Sequence, residues 1–196
     1  MDESSREISL MRLFSWLLLL SFLPVLLPSA KAQFPAHVDT ALTYFGPKEQ
    51  VRENYGLDIK KFLGSVGLGQ GYPYCAAFNS YCLDAAGAVE PTVRSASSRD
   101  FITEQSIDAK KVLRGQKNVP RGWIHVMPKG ETPYGHTGIV IKQFNNAKVL
   151  AIDANTGTGL EGESEREGQG VWVRIRQIYS SCYFCIKYFT PVKYEN

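Results

Sequence analysis

The sequence predicts an α+β fold in a single domain, and three observations lead to this prediction. The chain has 196 residues, of which 44% are hydrophobic and 21% charged, as in ordinary globular proteins. Apolar residues recur at helical spacing in the first half and at every second position from Gly122 onward. Helices followed by strands, with no internal repeat, indicate N-terminal helices packed on an antiparallel sheet of about five strands.

Composition also excludes several classes of protein. The content of apolar residues excludes a wholly disordered chain, a collagen-like chain and a protein with many membrane spans. The net charge is +3 and no long basic run is present, so we expect no nucleic-acid partner. Four cysteines are too few for a fold built on disulfides, so the domain must bury a conventional core.

The first 32 residues are predicted to be a secretory signal peptide. The uncharged run Leu13–Leu27 would span about 22 Å as a helix, short of the roughly 30 Å of a bilayer core. Small residues precede a cleavage site after Ala32. Acidic residues before Met11 are wrong for a signal, which favours translation from Met11. We expect a secreted protein, periplasmic or extracellular, with residues 33–196 as its single domain and no stable membrane anchor; a retained N-terminal anchor is the alternative.

Four helices are predicted from periodicity and from glycine and proline signals. Gly46, Gly64 and Gly87 follow the first three helices as stop signals, and Pro73 precedes the third. A polar region after Val93 contains one further short helix. The predicted helices are Pro35–Phe45, Ile59–Leu63, Tyr74–Ala86 and Phe101–Ser106.

Five strands are predicted after Gly122, with a hairpin turn at Asn145-Asn146. The stretch Gly157–Gln169 is rich in Gly and Glu and predicts a solvated hairpin tip, with a cation site as the alternative. The predicted strands are Trp123–Met127, Thr137–Gln143, Lys148–Asp153, Gly170–Ile178 and Tyr183–Phe189.

Cys75 is a candidate nucleophile because it lies at the predicted start of a helix. The positive end of the helix dipole favours a thiolate there, and the free backbone N–H of Cys75 can point at an oxyanion. The alternative is a small buried apolar side chain, which is the usual role of cysteine.

His136 is the best of three histidines as a general base. It begins a strand, and Gly135 and Gly138 leave room beside it for a nucleophile and a substrate. His37 lies close to the predicted cleavage site, and His125 lies inside a strand in a structural role.

Asp153 and Asn155 are candidates to orient His136. Alternation along a strand places both side chains on one face, and a neighbouring antiparallel strand can bring them beside the imidazole. An Asp/Asn turn at a strand end is the alternative.

The order of these motifs resembles the CHAP domains (cysteine, histidine-dependent amidohydrolases/peptidases), papain-like enzymes that cut peptidoglycan. The family variant that the motifs resemble reads P-W-C-A-A-F, G-H-x-G and E-x-N-T. Tyr74 stands in place of its Trp. Asp153 stands in place of its Glu, and this shorter side chain has a shorter reach to the imidazole. The matching segments, which with Leu57–Gly67 span about residues 55–178, are Tyr72–Phe78, Gly135–Gly138, Asp153–Thr156 and Gly170–Arg176.

The resemblance implies a secreted cysteine hydrolase that cleaves amide bonds in peptidoglycan or muropeptides through a thioester. It implies Cys75 as nucleophile, His136 as base, and Asp153 and Asn155 as the orienting pair, with no metal or organic cofactor. Gln70 is a candidate second donor to the oxyanion. The bond cut is either the N-acetylmuramoyl-L-alanine amide or a peptide cross-link.

Two alternatives keep the fold but change the function. The same site would serve a papain-like acyltransferase or a cysteine protease that acts outside the wall. A non-catalytic wall-binding module with a decayed site would need none of the four site residues, so their presence argues against it.

The remaining cysteines leave room for one disulfide at most. Cys82 lies about 10.5 Å from Cys75 along the same helix face and cannot bridge to it. Cys182 and Cys185 have C-x-x-C spacing, but a zinc site would need two further ligands. If both lie on one strand they face opposite sides and cannot pair, so the pairing among Cys82, Cys182 and Cys185 stays open.

Overall fold

A computed structural model describes residues 34–50, 52–160, 168–178, 182 and 185–195, and these residues have the predicted α+β fold. The predicted signal peptide, the proposed start at Met11 and residues 161–167 of the acidic stretch lie outside the described residues. Within the described ranges, no helix is long and apolar enough to cross a membrane.

Three helices lie where the sequence predicted them, and the fourth lies elsewhere. The predicted helix Phe101–Ser106 is wrong, because a 3-10 turn, Ser98–Phe101, ends where that helix was to begin. The fourth helix begins instead after Asp108, whose carboxylate caps it by accepting the N–H of Lys110 at 2.7 Å. The helices are α1 (Ala36–Thr43), α2 (Leu57–Ser65), α3 (Cys75–Ala85) and α4 (Ala109–Leu113).

The main sheet has seven antiparallel strands in the order β1-β7-β6-β5-β4-β8-β3. The five predicted strands form its centre, and the two extra strands, β1 and β3, are edge strands of two residues each, too short for periodicity to reveal. A separate two-stranded sheet pairs β2 with β9. The strands are β1 (Gly46–Pro47), β2 (Ala88–Glu90), β3 (Ile107–Asp108), β4 (Ile124–Pro128), β5 (Gly135–Asn145), β6 (Lys148–Thr156), β7 (Gly170–Gln177), β8 (Tyr188–Thr190) and β9 (Lys193–Tyr194).

The predicted strand Tyr183–Phe189 is shorter than expected, and this change permits a disulfide. The strand begins only at Tyr188, and Cys182 is bonded to Cys185 with their Cα atoms 5.6 Å apart. Three extended residues would separate those atoms by about 10 Å. The expectation that Cys182 and Cys185 face opposite sides and cannot pair assumed that both lie on one continuous strand, and this assumption is wrong.

Both faces of the sheet are covered, which explains why β4 is buried at all five positions. Ile139 and Ile152 pack in one cluster with side chains of α1, α2 and α3, whereas Val140 packs in a second cluster with Val112 of α4. Helix α3 packs on β5 and β6. Its first residue therefore lies beside the strand that begins with Gly135 and His136.

Candidate active site

Cys75 is the first residue of α3. Tyr74 before it is not helical, and the first described main-chain bond of the turn runs from the N–H of Phe78 to the carbonyl of Tyr74 at 2.8 Å. The N–H groups of the first helical residues therefore have no acceptor inside the helix. Cys75 is only 6% exposed and lines a cleft of about 200 Å³.

The cleft is narrow and its walls are mostly small or apolar. Among the described residues, no charged side chain lines it. Three segments supply the walls: the loop before α3, the residues before the 3-10 turn and the entry to β5. Besides Cys75, the lining residues are Leu68, Tyr72, Pro73, Ala96, Ser97, Ser98, Pro133, Tyr134, Gly135 and Asn155.

His136 lies at the start of β5 with its side chain fully buried. Its Nε2 is 3.4 Å from Oδ2 of Asp153. Its Nδ1 has no hydrogen-bond partner among the described residues. An N–H at Nε2 facing the carboxylate leaves the lone pair on Nδ1, which is the form of imidazole that can accept a proton.

The thiol of Cys75 lies next to the start of β5. The backbone N–H of Thr137, the residue after His136, faces the thiol. One turn further along α3, Nδ2 of Asn79 donates to Oγ1 of Thr137 at 3.1 Å, and that hydroxyl donates to the carbonyl of His125 at 2.7 Å. These bonds fix the helix that carries the cysteine to the strand that carries the histidine.

Asp153 is the centre of a buried polar cluster that sequence reasoning predicted only in part. Its Oδ1 accepts from Nε2 of His125 at 2.8 Å, and its Oδ2 is paired with Nε of Arg176. His125 and Asp153 are fully buried, and Arg176 is 4% exposed. His125 was predicted to have a structural role in its strand, and no role in the site was predicted for Arg176, which ends one of the matching segments.

A signal for Arg176 was present in the sequence. Alternation along β7 puts Arg174 and Arg176 on the face that also carries Asp153, because Trp172 pairs with Asp153 in register. An arginine at an inward position of a strand requires a buried acceptor, since an unpaired buried charge is costly.

Gly138 provides the space that this cluster occupies. A Cβ atom there would collide with Oδ1 of Asp153 and lie 2.7 Å from Nε2 of His125. The glycine two residues after His136, which was expected to leave room for a nucleophile and a substrate, leaves room for the Asp153 carboxylate instead.

The structure separates Asn155 from Asp153. The pairing of β6 with β7 shifts between Ala154 and Thr156, and Asn155 has a φ of 57°. Strict alternation, from which one shared face was predicted, therefore ends at Ala154. Asn155 lines the cleft with Cys75, whereas Asp153 is buried behind His136.

Gln70 lies in the loop before α3, outside the residues that line the cleft. Its Oε1 accepts the backbone N–H of Gly56 at 2.8 Å. This bond ties the loop to the N-terminus of α2. The role of Gln70 as an oxyanion donor stays a prediction.

Burial determines the charge states of the Cys75 and His136 side chains. It raises the pKa of Cys75 to about 11, although the N–H groups of Thr137 and Ala76 act in the opposite direction. It lowers the pKa of His136 to about 4, against the effect of Asp153. At neutral pH the thiol and the imidazole are therefore both uncharged, whereas the helix dipole alone had favoured a thiolate.

Asp153 stays ionised in this environment. Burial by itself raises the pKa of its carboxyl group, but Arg176 and His125 together hold that pKa well below its usual range. Within the described ranges, no group of three or more His, Cys, Asp or Glu side chains is arranged to hold a metal ion.

The fold is α+β, a cysteine at the start of a helix lies beside a strand that bears a histidine, and a carboxylate lies behind that histidine. This is the arrangement of papain-like cysteine hydrolases. Residues 67–155 match the family model of the CHAP domain. The match confirms the resemblance carried by the motifs. The family consists of cysteine- and histidine-dependent amidohydrolases and peptidases associated with peptidoglycan. No curated protein and no solved structure matches the chain.

Proposed function

We propose that this protein hydrolyses amide bonds of peptidoglycan, with Cys75 as the nucleophile and His136 as the base. One observation carries the proposal: Cys75 opens into a cleft at a helix N-terminus, while His136 turns Nε2 towards Asp153 and keeps Nδ1 for a proton. The CHAP domain match supports the same reaction class.

In the acylation half-reaction, Nδ1 of His136 takes the thiol proton as Sγ of Cys75 attacks the amide carbonyl carbon. An S–C bond forms and the carbonyl π electrons move to oxygen. The N–H of Cys75 at the start of α3 is the first donor to this oxyanion, and Gln70 is the predicted second donor. The imidazolium then protonates the amine as the C–N bond breaks, which leaves a thioester.

In the second half-reaction, water hydrolyses the thioester. Nδ1 of His136 takes a proton from the water as its oxygen bonds to the carbonyl carbon. The S–C bond breaks, the carboxyl product leaves, and the proton returns to Cys75. Because the thiol and imidazole both start uncharged, the proton moves during the attack rather than before it.

The absence of charge in the described lining of the cleft limits which substrate groups can lie next to the scissile bond. Besides Cys75, the polar lining residues of the cleft among those described are Tyr72, Ser97, Ser98, Tyr134 and Asn155, so small or uncharged groups fit there better than charged ones. The proposed compartment is outside the cytoplasm, where peptidoglycan lies. The predicted signal peptide in residues 1–32 supports this location.

Mass spectrometry of muropeptides after digestion of purified peptidoglycan tests the proposal. Release of free peptide stems identifies an N-acetylmuramoyl-L-alanine amidase, and conversion of cross-linked dimers to monomers identifies an endopeptidase. Parallel assays with casein and with a lipid ester test the protease and acyltransferase alternatives. Binding to peptidoglycan without any new product, in wild type and Cys75→Ala alike, would overturn the proposal in favour of a binding module.

A further inference from the structure

We propose that Arg176 is a positioning residue of this site, which anchors the Asp153 carboxylate and keeps His136 an uncharged base with its proton on Nε2. The inference rests on the proposed function for its catalytic meaning. Its geometry stands independently, on a strand outside the matched segment 67–155.

Arg176 reaches the site from β7. It pairs in register with Val149 of β6, and its guanidinium group contacts Asp153, four residues further along that strand. Its Nε contacts Oδ2 of Asp153, and its Nη2 donates to Oγ1 of Thr156 at 3.2 Å and lies 3.5 Å from Nε2 of His136. One guanidinium group therefore touches both the carboxylate and the edge of the imidazole ring.

The carboxylate is held from two strands that do not carry His136. His125 on β4 binds Oδ1 and Arg176 on β7 binds Oδ2. Two contacts that do not involve His136 therefore hold Asp153 in its position. A fixed acceptor 3.4 Å from Nε2 orients the ring more firmly than a carboxylate held by the imidazole alone.

Two tautomers compete at His136, and Arg176 affects the balance between them. In one, the N–H at Nε2 points at Oδ2 of Asp153. In the other, Nε2 accepts from Nη2 of Arg176 and the proton lies on Nδ1, where it would block proton transfer from Cys75. Arg176 directs Nε at Oδ2 of Asp153 and donates an N–H of Nη2 to Thr156. Because these groups are engaged elsewhere, Arg176 supports the first tautomer.

The charges around His136 act in opposite directions. Among the described residues, the titratable and charged groups that face it are Asp153 from β6, Arg176 from β7 and His125 from β4. Asp153 favours the imidazolium and Arg176 opposes it. Removing Arg176 would leave Asp153 without its main counter-charge, and His136 would become the nearest group able to supply one.

Nuclear magnetic resonance of ¹⁵N-histidine-labelled protein tests this inference without any substrate. The three histidines are distinguished with a His136→Gln variant, and tautomer and pKa are read from the ring nitrogens. We expect the Nε2–H tautomer in the wild type. In Arg176→Gln we expect the pKa of His136 to rise by about one unit or more. A wild-type His136 with its proton on Nδ1 overturns the inference.

Arg174→Gln is the matched control, because Arg174 lies two residues earlier on the same strand face and is also buried. Its guanidinium donates to the carbonyl of Gly157. We expect wild-type His136 signals in this variant. Equal His136 pKa values in Arg176→Gln and Arg174→Gln would overturn the inference.

If the Arg176→Gln variant does not fold, the Arg176→Lys variant tests the inference in its place. A lysine keeps the charge but cannot span Oδ2 of Asp153 and Oγ1 of Thr156 together. We expect an intermediate rise of the His136 pKa, and signals identical to wild type would overturn the inference. The rate of Cys75 alkylation by iodoacetamide against pH gives a second readout, which stays informative even if peptidoglycan is not the substrate.

Discussion

Asp153 lies closer to His125 than to His136, with distances of 2.8 Å and 3.4 Å from its carboxylate oxygens to the two Nε2 atoms. The residue proposed to orient the catalytic base is therefore itself oriented by a second histidine. Arg176 completes the arrangement, so a single buried carboxylate links strands β4, β5, β6 and β7.

The first prediction separates the two free cysteines. Cys75→Ser changes one atom of the proposed nucleophile, and we expect hydrolysis to fall on the order of 10⁴-fold or more with the fold intact. Cys82→Ser is the matched control on the same helix, fully buried and away from the cleft. It should keep its activity and lose roughly 1–2 kcal/mol of unfolding free energy. Equal loss of activity in two folded variants would contradict the assignment.

The second prediction concerns the charge of Asp153. In Asp153→Asn the negative charge that favours protonated His136 is lost, so the pKa of His136 falls further below its already lowered value. On the acidic side of the pH–rate profile, activity falls because His136 becomes protonated and inactive. In Asp153→Asn this fall should occur at lower pH. Turnover should fall within about 10²–10⁴-fold.

The control for this experiment is Asn155→Ala, which alters the cleft wall and leaves the Asp153 cluster in place. Thermal unfolding of both variants shows that the rates refer to folded protein, since Arg176 loses its counter-charge in Asp153→Asn. An unchanged profile in Asp153→Asn, together with a large loss in Asn155→Ala, would assign the orienting role to Asn155 alone.

The third prediction concerns the contacts that a methyl group would make at Gly138. Gly138→Ala forces the Asp153 carboxylate away from its site, because the new methyl group would collide with Oδ1. We expect a loss of roughly 1–3 kcal/mol of stability and a fall in kcat/KM. Gly64→Ala in α2 is the control, because its Cβ would meet no atom within 4 Å. It should stabilise the protein by about 0.5–1 kcal/mol, and a similar loss of activity in both variants would contradict the prediction.

The fourth prediction is a loss of stability in acid. Burial lowers the pKa of His136 in the folded protein to about 4 from its ordinary 6.5, so folding favours the uncharged ring. That contribution is complete above about pH 6.5, where the unfolded chain is also neutral, and declines as pH falls towards 4. Burial lowers the pKa of His37 in the same direction.

Urea unfolding at pH 7 and at pH 4.5 measures this effect. The share from His136 is about 2–3 kcal/mol over that interval. His136→Gln removes the titrating group, so the difference between the two pH values should shrink by that amount. An equal difference in wild type and variant would show that His136 does not carry the effect.

The sequence by itself determined the elements whose signals are local. Glycine stops and helical spacing located α1, α2 and α3, and the period of two located the central strands. Cys75 at a helix start and His136 at a strand start were predictable because each depends only on neighbouring residues. The order of these motifs was specific enough to indicate the CHAP domain, which the family match confirms.

Only the tertiary structure decided how the chemical groups interact. Arg176 is 23 residues from Asp153 and His125 is 28 residues from it, so their contacts depend on strand register. The bulge after Ala154 moved Asn155 to the cleft wall, which alternation does not predict. Burial of Cys75 outweighed the helix dipole in setting the charge state of its thiol, and burial of His136 outweighed the effect of Asp153 on its imidazole, because desolvation depends on everything packed around a group and not on its position in a helix or strand.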